Sequence, residues 1–254
     1  MAAVSADASG TPNDAAAPGK RSGSSQLRLI AGCTHPRVTF GLAVGAFVAA
    51  LLIDRSFGRA LVIAAAVWLV QAIAGLLNDV FDAESDRRAD RPGKPVADGR
   101  VPSGNVTFVA TALFLLAVPV SLQNGTTAGL VLLSSLVVSL LHNRVLHRTP
   151  LSFVGWMLTL PLIAAFVSLS EDGTRAGTTP TTPMLLVTAL LGLWLHLLTS
   201  LKHLRADHAA GVKPLPLVIA LKVGAPALMY ATIALGLATG VLLMMVALGP
   251  GLQR

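Results

Sequence analysis

Asn78, Asp82 and Asp86 recur at intervals of four, so on an α-helix they share one face, about a turn apart. One amide oxygen and two carboxylates so placed are hard ligands able to converge on a single divalent cation. Mg2+ takes one or two protein carboxylates and fills its shell with water and phosphate oxygens. A burst of cations follows at once: Arg87, Arg88, Arg91 and Lys94, the last two within the proline-stiffened run Arg91-Pro92-Gly93-Lys94-Pro95. Guanidinium and ammonium groups hold phosphate, and prolines reduce the freedom lost when a loop clamps a ligand. Oxygens for a metal beside nitrogens for an anion point to a metal-bridged phosphate ligand. Arg87 and Arg88 read instead as charge at a membrane edge, and Asp79 and Glu84 as groups that face water or cap the loop.

These groups must be positioned by helices that cross a membrane. Of 254 residues, 54% are hydrophobic and only 12% charged, against about a quarter charged in soluble chains. The apolar residues fall into seven runs of roughly 20, the length that spans a bilayer as a helix. They cover about 32–53, 58–80, 105–122, 126–142, 151–169, 182–203 and 223–248. Strand alternation is absent, which argues against a barrel. The expected fold is all-α, an integral membrane bundle of about seven transmembrane helices. An ionisable cluster at the end of the second run is expensive to place there and marks a site. The sixth run ends similarly, in Asp207 followed by Gly211 and Lys213, and two such ends facing one cavity make a composite site.

The net charge of +7 follows topology rather than nucleic acid. With the N-terminus cytoplasmic, 15 Lys and Arg lie on that side and 4 (Arg55, Arg59, Arg175, Arg254) on the other, as the positive-inside rule requires of a plasma-membrane protein. Residues 1–26 lack the apolar core of a secretory signal and read as a disordered cytoplasmic tail, leaving 27–254 as the membrane domain. Cys33 is the lone cysteine, so no disulfide framework forms within the chain, and no Cys/His spacing suggests zinc. Nucleophile elbows, Walker loops and dinucleotide fingerprints are missing. The loops at 54–59, 121–125 and 168–181 read as plain connectors. His196, in the apolar stretch Leu193-Trp194-Leu195-His196, reads as a satisfied polar contact inside the bundle.

Asn78-Asp79-x-x-Asp82-x-x-x-Asp86-Arg87, followed by Arg91-Pro92-Gly93-Lys94-Pro95 and Gly99-Arg100, resembles the first signature of the UbiA superfamily of intramembrane prenyltransferases. His142 to Pro150 is similar to the family's helix-four segment, and Asp207 to Pro216 to its second signature. The resemblance implies a helical bundle, usually of nine transmembrane helices, and Mg2+-dependent transfer of a prenyl group from a polyprenyl diphosphate to an aromatic or lipid-like acceptor. A terpene cyclase on the same scaffold, or a non-catalytic prenyl-lipid-binding protein, remain as alternatives. It further implies that Asn78, Asp82, Asp86 and Asp207 hold Mg2+, that Asp82, Asp86 and Asp207 are catalytic, and that Arg91, Lys94, Arg144 and Arg148 bind the diphosphate. Lys202, His203, His142 and His147 are weaker candidates. The expected partners are the diphosphate donor, a hydrophobic acceptor and membrane lipid, with a homo-oligomer or partner subunit allowed and nucleic acid not.

The sequence departs from the family pattern in three places. Alignment on Asp207 puts Thr199 and His203 where carboxylates or amides are expected, and both are poor ligands for Mg2+. His142 and His147 stand where Tyr and Lys are usual. The sequence stops about 30 residues after its seventh span begins, short of two helices that usually close the bundle.

Overall fold

The computed structural model describes residues 23–249. Residues 1–22 of the expected tail lie outside the described residues, and residues 23–26 open the first helix. Ten α-helices follow in order: α1 (Gly23–Cys33), α2 (Pro36–Leu52), α3 (Phe57–Arg88), α4 (Ser103–Leu122), α5 (Thr126–Arg144), α6 (Ser152–Leu169), α7 (Thr182–Ser200), α8 (Leu204–Ala209), α9 (Leu215–Val223) and α10 (Ala225–Leu248). Single 3-10 turns occupy Leu146–Arg148 and Leu201–His203. Six of these helices are long and apolar enough to cross a membrane, and α1 with α2 makes a seventh, broken span bent by 62°. The chain is therefore a multi-pass, all-α membrane bundle, with no β-strand among the described residues.

The break in the first span comes from Pro36. Proline brings no N–H to continue a helix and bars the residue before it from the α region; His35 turns to φ 52° and α2 restarts with Pro36 in its first turn. The break rests on α3, where Gly75 leaves room: a Cβ there would lie 2.8 Å from the Thr34 carbonyl oxygen. At 32 residues, α3 is about 48 Å long, well beyond a hydrocarbon core of about 30 Å. The acidic segment is thus a direct continuation of the span.

The axis of the bundle is α3, packed against α2, α4 and α5, while α6 lies between α5 and α7. Its buried Ile63, Val67 and Val70 meet Leu132 of α5 and Phe166 of α6 in one apolar cluster. A second cluster fixes the loop after α3. Val96 and Val101 of that loop insert among Ile30, Cys33, Leu76 and Val106, which turns the Arg91–Lys94 segment back over the acidic face. In contrast, α10 packs against α7 and α9 and is mostly exposed.

At the opposite end the three loops are tied together, which corrects their reading as plain connectors. The Ser56 N–H donates to Asp172 at 2.6 Å, and Arg175 donates to the Asp54 carbonyl at 3.1 Å. Arg59 donates to the Gln123 carbonyl at 2.9 Å, and buried Arg55 to that of Ser168 at 3.2 Å. Of these the Arg55–Ser168 bond is buried, and a carbonyl left away from water near a helix end needs such a donor.

Candidate functional site

Three separated segments converge on a cavity of about 620 Å³ at the end of the bundle where α3, α5 and α7 terminate. From α3, Asn78 and Asp82 form part of its wall, and the following loop adds Arg91 and Lys94. Asp86 stands behind them, 1% exposed, with Arg91 at 3.2 Å and Lys94 at 3.5 Å. No hydrogen bond of good geometry reaches either Asp86 oxygen. The spacing of four does bring the three α3 side chains to one side of the helix, with Asp86 screened from the cavity by the two cations.

Of the two expectations for Asp79, facing water fails and holding the loop stands. It is buried rather than facing water, with Lys94 donating to its Oδ1 at 2.7 Å and His35 Nε2 3.3 Å away. It lies about 100° around the helix from Asn78, the side covered by the Lys94 loop. Lys94 thereby bridges two carboxylates. Burial alone would lower its pKa, but the charges of Asp79, Asp86 and Asp82 outweigh that and raise it. Glu84 pairs at the surface with Arg87 at 2.9 Å and Arg88 at 3.0 Å, in keeping with the reading of those arginines as edge charge.

The end of α5 separates the two arginines grouped with the diphosphate. Arg148, on the 3-10 turn, donates to Asp82 at 3.0 Å and to the Ser85 hydroxyl at 2.7 Å. Its Nε also donates to His147 Nε2 at 3.0 Å. That nitrogen then accepts, so its 3.2 Å approach to Asp82 is a contact rather than a second donor. Arg144 is elsewhere. It is exposed, its guanidinium 5.7 Å over the Phe81 ring, and it does not line the cavity. The helix ends at Arg144 and the chain reverses through residues 146–148, so only the later arginine faces the acids.

The α7–α8 side supplies Thr199, Lys202, His203 and Asp207 to the same cavity. Arg91 donates to Asp207 at 2.5 Å and so joins the two acidic segments. The Thr199 hydroxyl turns back to the Leu195 carbonyl at 2.7 Å, as a helical threonine does. Between the walls sit His142 and His196, with rings 6.1 Å apart at 87°. His196 is buried and bonded to Ser152 Oγ at 2.9 Å. That contact was expected in kind, but its partner lies 44 residues away and no sequence spacing announces it.

The donor set suits a hard cation. Asn78 and Asp82 offer oxygens at the wall, and Asp82 Oδ2 takes no part in the Arg148 contact. Among the described residues both Asp86 oxygens are buried beside cations but take no hydrogen bond of good geometry, which leaves lone pairs of the kind that a metal ion satisfies. Across the cavity Asp207 is alone, since Thr199 and His203 add no carboxylate. Among the described residues, no three His, Cys, Asp or Glu side chains form a ready metal cage, which Mg2+ does not require when phosphate completes its shell.

Comparison with known proteins places the chain in a family. Residues 38–253 match the UbiA prenyltransferase family. The chain is 30% identical over 179 residues to digeranylgeranylglyceryl phosphate synthase of Methanopyrus kandleri, covering 70% of this chain and 63% of that relative's length. Among solved structures, a UbiA homolog from Archaeoglobus fulgidus bound to DMAPP and Mg2+ superposes with a TM-score of 0.64 at 16% identity, over 85% of this chain and 75% of the other. A structure of a digeranylgeranylglyceryl phosphate synthase gives 0.60 at 18% identity, over 86% and 76%. These structural likenesses concern the fold. The match across nearly the whole membrane domain establishes that the chain belongs to the UbiA prenyltransferase family.

Proposed function

We propose that this chain is a Mg2+-dependent prenyltransferase of the plasma membrane, N-terminus cytoplasmic, that moves a prenyl group from a polyprenyl diphosphate to a hydrophobic acceptor. The observation that carries this reading is the meeting of acids and cations at one cavity mouth. Asp82, Asp86 and Asp207 come from α3 and α8, and Arg91, Lys94 and Arg148 from two other segments. Support also comes from the relatives: structures of a UbiA homolog from Archaeoglobus fulgidus bound to DMAPP and Mg2+ and to GPP and Mg2+, and a relative named as a digeranylgeranylglyceryl phosphate synthase.

In the reaction the C1–O bond of the donor breaks, its electron pair leaving with pyrophosphate, and the acceptor attacks the allylic C1 and sheds a proton. Mg2+ held by Asn78, Asp82 and Asp86, with Asp207 facing them, would neutralise the diphosphate and stabilise the charge it gains. The acids now neutralise Arg91, Lys94 and Arg148; once they serve a metal, those cations are free to bind phosphate oxygens. Fixed cations aimed at a leaving group act with little reorganisation. Val38, Leu42, Trp156 and Leu160 line the same cavity, giving the isoprenoid an apolar wall and keeping water from the cation.

The test is pyrophosphate release by purified protein in nanodiscs, from geranyl, farnesyl and geranylgeranyl diphosphates, with and without Mg2+. Release that needs Mg2+ and falls by about a hundredfold or more in Asp82→Ala is expected. Release from no donor at any Mg2+ concentration, with the protein folded, would remove the catalytic reading.

A further inference from the structure

Building on the prenyl-transfer reading, we infer that His142 and His196 together bind a hydrogen-bond-accepting oxygen of the acceptor co-substrate. The argument rests on where each ring must carry its proton. Ser152 is fully buried, and its Oγ accepts the Leu215 N–H at 3.0 Å. A buried hydroxyl must also place its own proton, and among the described residues the acceptor it meets is His196 Nε2 at 2.9 Å. That nitrogen is therefore the bare one, and the neutral ring carries its proton on Nδ1. Among the described residues His196 Nδ1 has no hydrogen-bond partner, and it is not sealed from the cavity that His196 lines. It offers the cavity an N–H donor.

His142 is set the opposite way round. Among the described residues its Nδ1 is buried without a partner, pressed to α6 where a Cβ on Gly155 would come within 2.6 Å of it. Orphaned buried N–H groups are rarer than idle acceptors, so the proton belongs on Nε2. Nε2 is the ring nitrogen left open on the cavity side, since only Nδ1 is sealed. Two neutral N–H donors thus sit on rings 6.1 Å apart, with the indole of Trp156 6.5 Å from His196. His147, beside His142 at 6.3 Å, touches Asp82, so the pair adjoins the charged mouth while carrying no charge itself.

This is poor equipment for a diphosphate, which Arg91, Lys94 and Arg148 serve better. It suits a carbonyl, ether or phenolate oxygen held between two donors, and gives nothing to a bare hydrocarbon. The histidine pair therefore assigns an acceptor side to the cavity and a chemical class to the acceptor: a hydrophobic molecule bearing an oxygen acceptor near its reacting atom.

Binding of 1,4-naphthoquinone and of naphthalene, a pair with and without oxygens on one ring system, tests this. Both are measured against the full chain in nanodiscs and corrected for partition into empty discs. The wild type is expected to hold the quinone about tenfold more tightly, the effect of two modest hydrogen bonds. His196→Phe is expected to erase that preference, and His196→Asn, whose amide sets an N–H near the Nδ1 position, to restore most of it. If His196→Phe does not fold, His142→Phe and its rescue by His142→Gln decide the same question. Equal wild-type affinity for the two probes, or a preference that survives both phenylalanine variants, overturns the inference.

Pyrophosphate release from geranyl diphosphate on the same samples separates this from the reading beneath it. Release without any oxygen preference overturns the histidine pair and leaves prenyl transfer standing. An oxygen preference that His196→Phe abolishes, with no release at any Mg2+ concentration, supports the pair and overturns the transfer reading.

Discussion

Arg91 joins Asp86 to Asp207 through one guanidinium, its two terminal nitrogens 3.2 Å from the first carboxylate and 2.5 Å from the second. The first acid is on α3 and the second on α8, so the loop between α3 and α4 links the two acidic segments. Removing one partner of a buried ion pair leaves an uncompensated charge, and costs about 3–5 kcal/mol when burial is deep. Asp86 is 1% exposed and Arg91 21%, so Arg91→Ala is expected toward the lower end of that range. The same variant is expected to raise the donor KM by about tenfold or more, the loss of a charge-assisted contact to phosphate. A lowered melting temperature with an unchanged donor KM would show that Arg91 has only a structural role.

Arg144 and Arg148 are four residues apart, yet only Arg148 faces the acids. Arg148→Ala is expected to raise the donor KM by about tenfold, the loss of one charge-assisted contact to phosphate. Arg144→Ala should change KM less than about twofold and cost little stability, since an exposed cation over an aromatic ring is worth about 0.5–1 kcal/mol. Steady-state kinetics of the two variants checks this. Equal losses in both would mean that Arg144 reaches the donor after all.

The α6–α7 contact depends on Gly192. A side chain there would run into the main-chain carbonyl of Trp156, and backbone yields less readily than the end of a flexible side chain. Gly192→Ala is expected to lower stability by about 1–3 kcal/mol, the usual cost of overpacking. It would also move Trp156 and His196 relative to each other, as they are carried by the two helices that separate. Gly32→Ala, where a Cβ meets nothing, is the control and should leave the melting temperature nearly unchanged.

Much of the site was legible because its signal is periodic. Asn78, Asp82 and Asp86 announce a helical face by spacing alone, and apolar run lengths announce a spanning bundle. Periodicity gives the angle of a side chain around its helix but not what covers that angle. The sequence leaves Asp79 either facing water or capping the loop, because nothing in it says that Lys94 folds back over it; the Val96 and Val101 anchors that fold the loop are ordinary valines until α1 and α4 are in place. The pairing of His196 with Ser152 joins two helices, and each residue alone is a polar group in an apolar run. Arg55 looked like a loop cation, and only the approach of the 168–181 segment makes it a buried donor to Ser168. Local chemistry was readable; contacts between elements were not.

Asp172 fastens the far end of the bundle and gives it a pH dependence. The Ser56 N–H at 2.6 Å, the Ser56 hydroxyl at 3.2 Å and the nearby Arg59 and Arg55 charges hold its carboxyl below the usual carboxylate value. A depressed native pKa means that the unfolded chain binds the proton more readily. The stabilising contribution is therefore complete above the ordinary carboxylate pKa of about 4 and is lost as pH falls through the lower native value. Asp172→Asn keeps the shape of the side chain and removes the charge. Its melting temperature should fall below that of the wild type at about pH 6–7, and the gap should close as pH falls below the ordinary carboxylate range and the wild-type carboxyl takes its proton. A gap that stays constant across that range would assign the effect to packing rather than charge.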